Sequence, residues 1–101
     1  MKSKTVWGAI RGIETFSQLI FINNNKLTIN DSTYINDFPR FNHRGLLIDT
    51  SRHFIPLKVL KKQLDAMSYS KFNVFHWHIV DDQSFPFESL KYPNLTENVG
   101  F

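Results

Sequence analysis

The sequence predicts an α/β chain whose second half is a strand–helix–strand unit with parallel strands. Three observations carry this. Leu46-Leu47-Ile48 and the stretch from Asn73 to Val80 are apolar runs without alternation, the pattern of strands buried on both faces. Between them, Leu57, Leu60, Leu64 and Met67 recur at spacings of three and four, with Lys58, Lys61, Lys62 and Asp65 on other faces. That is the pattern of an amphipathic helix. Both apolar runs then end in polar clusters, Asp49-Thr50-Ser51-Arg52-His53 and Asp81-Asp82. In a parallel sheet covered by helices, the carboxyl ends of strands are where a site is built.

From about Thr5 to Ile20, Val6, Ile10, Ile13, Phe16 and Ile20 fall on one helical face, and Ser3 or Thr5 can cap its start. Gly8 and Gly12 lie one turn apart. Each costs about 1 kcal/mol relative to Ala in a helix, so a close backbone contact is expected there. Asn23-Asn24-Asn25 is a turn cluster. Lys26 to Ile29 and Thr33 to Ile35 are short strand candidates, joined by Asn30-Asp31-Ser32 as a hairpin. Pro39 biases Phe38 to extended geometry, and Asp37 to Phe41 is the expected boundary between two domains. Pro56 suits the first turn of the second helix. A parallel pair requires the crossover that this helix supplies. After Asp82, the residues Gln83 to Phe87 and Tyr92-Pro93-Asn94 read as a loop with aromatic anchors.

With 101 residues the chain is one domain or a piece of a larger one. The formal net charge is +3, but the twelve Lys and Arg are scattered with no run longer than Lys61-Lys62. A nucleic-acid binder shows a basic stripe instead, so no nucleic-acid partner is expected. The absence of Cys excludes disulfides and thiolate chemistry. No apolar stretch is long enough to span a membrane. Met1-Lys2-Ser3-Lys4 is basic, yet Arg11 and Glu14 interrupt the apolar residues after it, so no signal peptide is expected in this chain. Asn30-Asp31-Ser32 and Asn94-Leu95-Thr96 match the N-glycosylation acceptor pattern at Asn30 and Asn94.

Three constellations carry chemistry. His76 and His78 alternate along a strand and face one side. His-x-His is a metal-ligand spacing, and Asp81 or His53 would be the third ligand. Without a clear third ligand the expectation is structural: imidazoles satisfied by a backbone carbonyl or a carboxylate, and no metal. Asp81 leaves the end of a buried strand, where a carboxylate can accept from sugar hydroxyls, orient a His or act as a base. Asp82 is balanced between that and a turn role. Arg52 offers a planar fork suited to a carboxylate, a phosphate or vicinal hydroxyls, and an ion pair with Asp49 or Asp81 is compatible with that. Ser51 and His53 do not form a nucleophile pair, since nothing identifies an oxyanion hole.

The stretches from Arg40 to His53 and from Asn73 to Pro86, with the helix from Val6 to Leu19 upstream, closely resemble β-N-acetylhexosaminidases of glycoside hydrolase family twenty, lysosomal type. The resemblance implies that residues 1–39 are the tail of a small N-terminal α/β domain and that residues 40–101 begin a (β/α)₈ TIM barrel, incomplete here. It implies an enzyme that removes terminal N-acetylglucosamine or N-acetylgalactosamine with retention, the substrate's acetamido oxygen acting as nucleophile. The substrate partner is then a glycan or glycoconjugate ending in an N-acetylhexosamine, with no cofactor. The full-length parent is expected to be lysosomal or secreted, and a dimeric parent is compatible with the family. Arg52 matches the Arg that binds hydroxyls of the terminal sugar. Asp81 matches the carboxylate that supports a downstream His paired with the catalytic Glu.

The family's adjacent Asp-Glu pair has no match here. The chain contains no Asp-Glu dipeptide, and its glutamates are Glu14, Glu88 and Glu97. A barrel of about 250 residues is roughly four times the stretch this chain offers it. The expectation is therefore a fragment that contains no catalytic residue and neither folds stably nor hydrolyses substrate alone. Two alternatives stand beside it: a non-catalytic or sugar-binding product of a degenerate gene, and a metal-dependent barrel hydrolase using His76 and His78.

Overall fold

The computed structural model describes residues 1–30 and 32–99. The chain divides into two compact units, Met1–Asn42 and His43–Phe101.

The first unit holds helix α1 (Val6–Gln18) and strands β1 (Phe21–Asn23) and β2 (Lys26–Thr28). Thr5 caps the helix as expected: its backbone is extended and its Oγ1 accepts from Gly8 N at 3.0 Å. Gly8 and Gly12 are tight positions, but side chains crowd them, not a neighbouring backbone. A Cβ would meet Ser3 Oγ at Gly8 and Met1 Sδ at Gly12. On the third turn Thr15 Oγ1 donates to Asp37 Oδ2 at 2.7 Å.

The hairpin lies one turn earlier than the sequence suggests. β1 and β2 are antiparallel, with Phe21 opposite Thr28 and Asn23 opposite Lys26. Asn24 and Asn25 between them take φ of 50° and 58°. Two consecutive left-handed residues make the reversal that matches strand twist, and Asn tolerates that region. Thr33 to Ile35 form no strand, and Asp31 of the expected turn and sequon lies outside the described residues.

The second unit is the strand–helix–strand unit: β3 (Gly45–Asp49), α2 (Leu57–Tyr69) and β4 (Val74–His78). A short α3 (Asn94–Val99) comes after it, where the sequence suggests only loop at its start. β3 and β4 are parallel neighbours, Gly45 opposite Val74 and Asp49 opposite His78. Pro56 stands at the N-cap of α2 with φ −58°. Leu60 and Met67 are the buried apolar side chains among the described residues. The helix ends where Lys71 turns left-handed at φ 59°, and Phe72 N returns to Met67 O at 2.9 Å.

The expectation of strands buried on both faces is not met within this chain. Leu47 is 54% and Trp77 44% exposed; each strand of this two-stranded sheet keeps a free edge, with no third strand among the described residues. Two separate compact bodies of these lengths would together expose about 7,000 Å²; the chain exposes 9009 Å². Among the described residues, no helix is long and apolar enough to cross a membrane.

Candidate functional site

The carboxyl ends of β3 and β4 bring four ionisable side chains into one circuit. Because the strands are parallel and in register, Asp49 and His78 end them side by side. The chain turns sharply after Asp49, whose Oδ1 accepts from Ser51 N at 2.9 Å and Arg52 N at 3.2 Å. This side-chain-closed turn is a common use of Asp. It swings Arg52 back so that its Nε donates to Asp49 Oδ2 at 2.5 Å. The same guanidinium reaches across to the other strand end, where Nη1 lies 3.4 Å from Asp81 Oδ2. Asp81 Oδ2 also accepts from His78 Nε2 at 3.1 Å. Half of the Arg52 side chain stays exposed, against 16% for Asp81.

The backbone holds this circuit from behind. Thr50 N donates to His78 O at 3.0 Å, extending the ladder one residue past β3. Trp77 Nε1 donates to Thr50 Oγ1 at 2.7 Å. Asp81 N donates to Ser84 O at 2.7 Å, and Asp82 N donates to Asp81 Oδ1 at 2.7 Å.

These contacts set the electrostatics. The Asp81 carboxyl is held down at about 2, first by a hydrogen bond from the Asp82 carboxyl and then by His78; desolvation opposes, while the Asp82 N–H and the Arg52 charge add to the lowering. Asp82 moves the other way, pushed up by that same carboxyl–carboxyl hydrogen bond and by the adjacent negative charge. Asp81 is therefore the carboxyl of the pair that ionises first. Desolvation pulls Asp49 upward, but the Arg52 side chain and the N–H groups of Arg52 and Ser51 outweigh it and leave Asp49 below its ordinary value. Arg52 is raised, chiefly by Asp49. The result is a half-exposed guanidinium between two carboxylates, an arrangement able to donate to a polar group from its open side.

Residues 41–100 match the family model described as glycosyl hydrolase family 20, catalytic domain. The chain belongs to glycosyl hydrolase family 20. The β-hexosaminidase subunit beta of Homo sapiens is 60% identical over 97 residues, which are 95% of this chain and 17% of that protein. The β-hexosaminidase subunit alpha of Rattus norvegicus is 55% identical over 101 residues, 100% of this chain and 19% of that protein. Among solved structures, the chitobiase of Flavobacterium johnsoniae is 43% identical with a TM-score of 0.75, over 93% of this chain and 15% of that one. A glycoside hydrolase family 20 β-N-acetylglucosaminidase is 30% identical with a TM-score of 0.78, over 94% of this chain and 19% of that one. The chain thus spans less than a fifth of the length of these relatives.

Within this family 20 chain, the two residues singled out from the sequence, Arg52 and Asp81, meet. Both ion pairs weighed for Arg52 are present at once. His78 is satisfied by a carboxylate. His76 is exposed opposite Leu47 and has no hydrogen-bond partner among the described residues. His53 is exposed. Among the described residues no three His, Asp or Glu side chains converge with metal-holding geometry. Asn94 is exposed at the first residue of α3. A concavity of about 470 Å³ lined by Lys91, Tyr92, Leu95 and Val99 includes none of the circuit.

Sequence reasoning missed the part played by Ser51 and Ser84. They lie 33 positions apart, and only the Asp49–Ser51 spacing hinted at a turn.

Proposed function

We propose that this chain is the stretch of a retaining β-N-acetylhexosaminidase that supplies the first strand, first helix and second strand of a (β/α)₈ catalytic barrel. Residues 40–101 form that stretch, and residues 1–39 are the end of the small α/β domain before it. In this reading Arg52 donates to hydroxyls of a terminal N-acetylglucosamine or N-acetylgalactosamine. Asp81 keeps the guanidinium aimed and supports, from the strand end, a His supplied by a later part of the barrel.

The observation that carries the proposal is the Arg52 guanidinium. It is clamped by Asp49 and Asp81 at the carboxyl end of two parallel strands, yet half exposed. A planar fork held in that way matches vicinal hydroxyls, and the carboxyl end of parallel strands is where barrel enzymes build their sites. The names of the human and rat relatives, both β-hexosaminidase subunits, agree with this substrate class.

The chemistry takes the substrate-assisted route. A Glu elsewhere in the barrel protonates the leaving oxygen, and the substrate's acetamido oxygen closes on the anomeric carbon. This chain supplies binding and orientation to that reaction. The parent is proposed to act on glycans in the lysosome or outside the cell and to be able to dimerise.

The test has two arms. The full-length protein is incubated with an aryl N-acetyl-β-glucosaminide and the anomer released is followed by NMR; β product is expected first. The purified 101-residue chain receives the same substrate and no turnover is expected. Turnover by the short chain, or an α product first, would overturn the proposal.

A further inference from the structure

The two buried polar side chains among the described residues are Ser51, 6% exposed, and Ser84, 2% exposed. They bond to each other's backbone. Ser51 Oγ donates to Ser84 O at 2.7 Å, and Ser84 Oγ donates to Ser51 O at 2.5 Å. Ser84 O also accepts from Asp81 N. Each serine thus lies next to, or is bonded to, one member of the sugar-facing pair: Ser51 precedes Arg52, and Ser84 closes the turn that begins at Asp81.

We infer that Ser51 and Ser84 are positioning residues that set the distance and angle between Arg52 and Asp81 by locking the loop after β3 to the loop after β4. The inference rests on the reading of Arg52 and Asp81 given above. A small hydroxyl is what the place requires. A reciprocal pair of side-chain-to-backbone bonds joins two loops at two points, which suppresses rotation as well as separation. Removing the Ser84 hydroxyl takes from Ser51 O its buried side-chain partner, whereas removing the Ser51 hydroxyl leaves Ser84 O with the Asp81 N–H alone. The 3.4 Å contact of Arg52 with Asp81 is an ion pair longer than a good hydrogen bond, so small loop displacements change its geometry.

The experiment uses the full-length protein with an aryl N-acetyl-β-glucosaminide. Ser51→Ala and Ser84→Ala are each expected to raise KM by about tenfold with kcat changed less than about threefold, the pattern of lost binding. The double variant is expected to raise KM at least as far as either single, since each single leaves one of the two bonds in place. In an Arg52→Ala background, adding Ser84→Ala is expected to leave KM unchanged. A merely structural serine pair would instead reduce the folded fraction in both backgrounds and leave KM alone; that result overturns the inference. If either Ala variant fails to accumulate, Ser51→Cys and Ser84→Cys keep the volume, weaken the donor and are read by the same KM criterion. If Arg52→Ala itself leaves KM unchanged, the sugar-site reading fails. If Arg52→Ala raises KM and the serine variants do not, only the positioning inference fails.

Discussion

The two ends of the β3–β4 pair are built from different chemistry. At the amino end, neutral groups and main chain do the joining. Arg44 N donates to Asn73 Oδ1 at 2.9 Å, Asn73 N donates back to Arg44 O at 3.0 Å, and Arg44 Nε donates to Lys71 O at 2.8 Å. Even the Arg44 guanidinium is turned onto a backbone carbonyl. At the carboxyl end, ionisable and partly open side chains, Asp49, Arg52, Asp81 and His78, are added to the neutral bonds that join the strands. The two ends thus differ in what they leave open, and under the proposed function the partly uncovered charge of the carboxyl end serves a ligand.

The comparison is broken most severely at the charged end. In the full-length protein, Arg52→Ala removes a charge-assisted donor and leaves Asp49 and Asp81 without their shared cation. A loss of about ten- to a hundredfold in kcat/KM is expected, from the roughly 1.5–3 kcal/mol typical of hydrogen bonds to charged groups. Steady-state kinetics decide it, and a loss under about threefold would contradict a sugar-contact role. The amino end gives the opposite signature. Asn73→Ala strands the Arg44 N–H and is expected to cost about 1–2 kcal/mol of stability in a urea or thermal melt, with kcat/KM per folded molecule unchanged. A kinetic defect without a stability defect would erase the distinction between the ends.

The smallest effect is a titration. Asp81 is depressed to about 2 from 3.8, so its charged contacts contribute fully above 3.8 and are lost as pH falls through about 2. Asp82 is raised, so its contribution has the opposite sign: present below 3.8 and lost as pH rises through its elevated value. Carboxyl ¹³C shifts measured by NMR should therefore separate the two midpoints. In Asp82→Ala the Asp81 midpoint should climb back toward 3.8, because the Asp82 hydrogen bond is the largest cause of the lowering. An unmoved midpoint would show that Arg52 and His78 hold it down by themselves. The amino-end bonds of Arg44 and Asn73 end on amide and backbone oxygens, which do not titrate in this range.

Much of this was legible in the residues. The spacing of Leu57, Leu60, Leu64 and Met67 located α2, and Thr5 located the start of α1. The unalternated runs located β3 and β4 and their parallel pairing. The hairpin was not legible, because two Asn-rich clusters competed for the turn and one pair of strands had to be chosen. Asn24 and Asn25 won because both adopt left-handed backbone, which a period-2 reading of hydrophobicity does not register. The six-residue α3 was too short to show a periodicity.

What the sequence determined by itself is what depends on neighbours along the chain: helix faces, caps, the polar punctuation at strand ends, and the long motifs that mark family 20. Those properties are set within a few residues, where side-chain period and local hydrogen bonding act. Tertiary structure alone decided what spans from one strand end to the other. Trp77 on Thr50, Arg52 on Asp81 and the reciprocal bonds of Ser51 and Ser84 each join residues 27 to 33 positions apart. Their partners are fixed by strand register. A one-residue slip would turn Asp49 and His78 to different faces and dissolve the circuit that the apolar runs on either side of α2 had only announced.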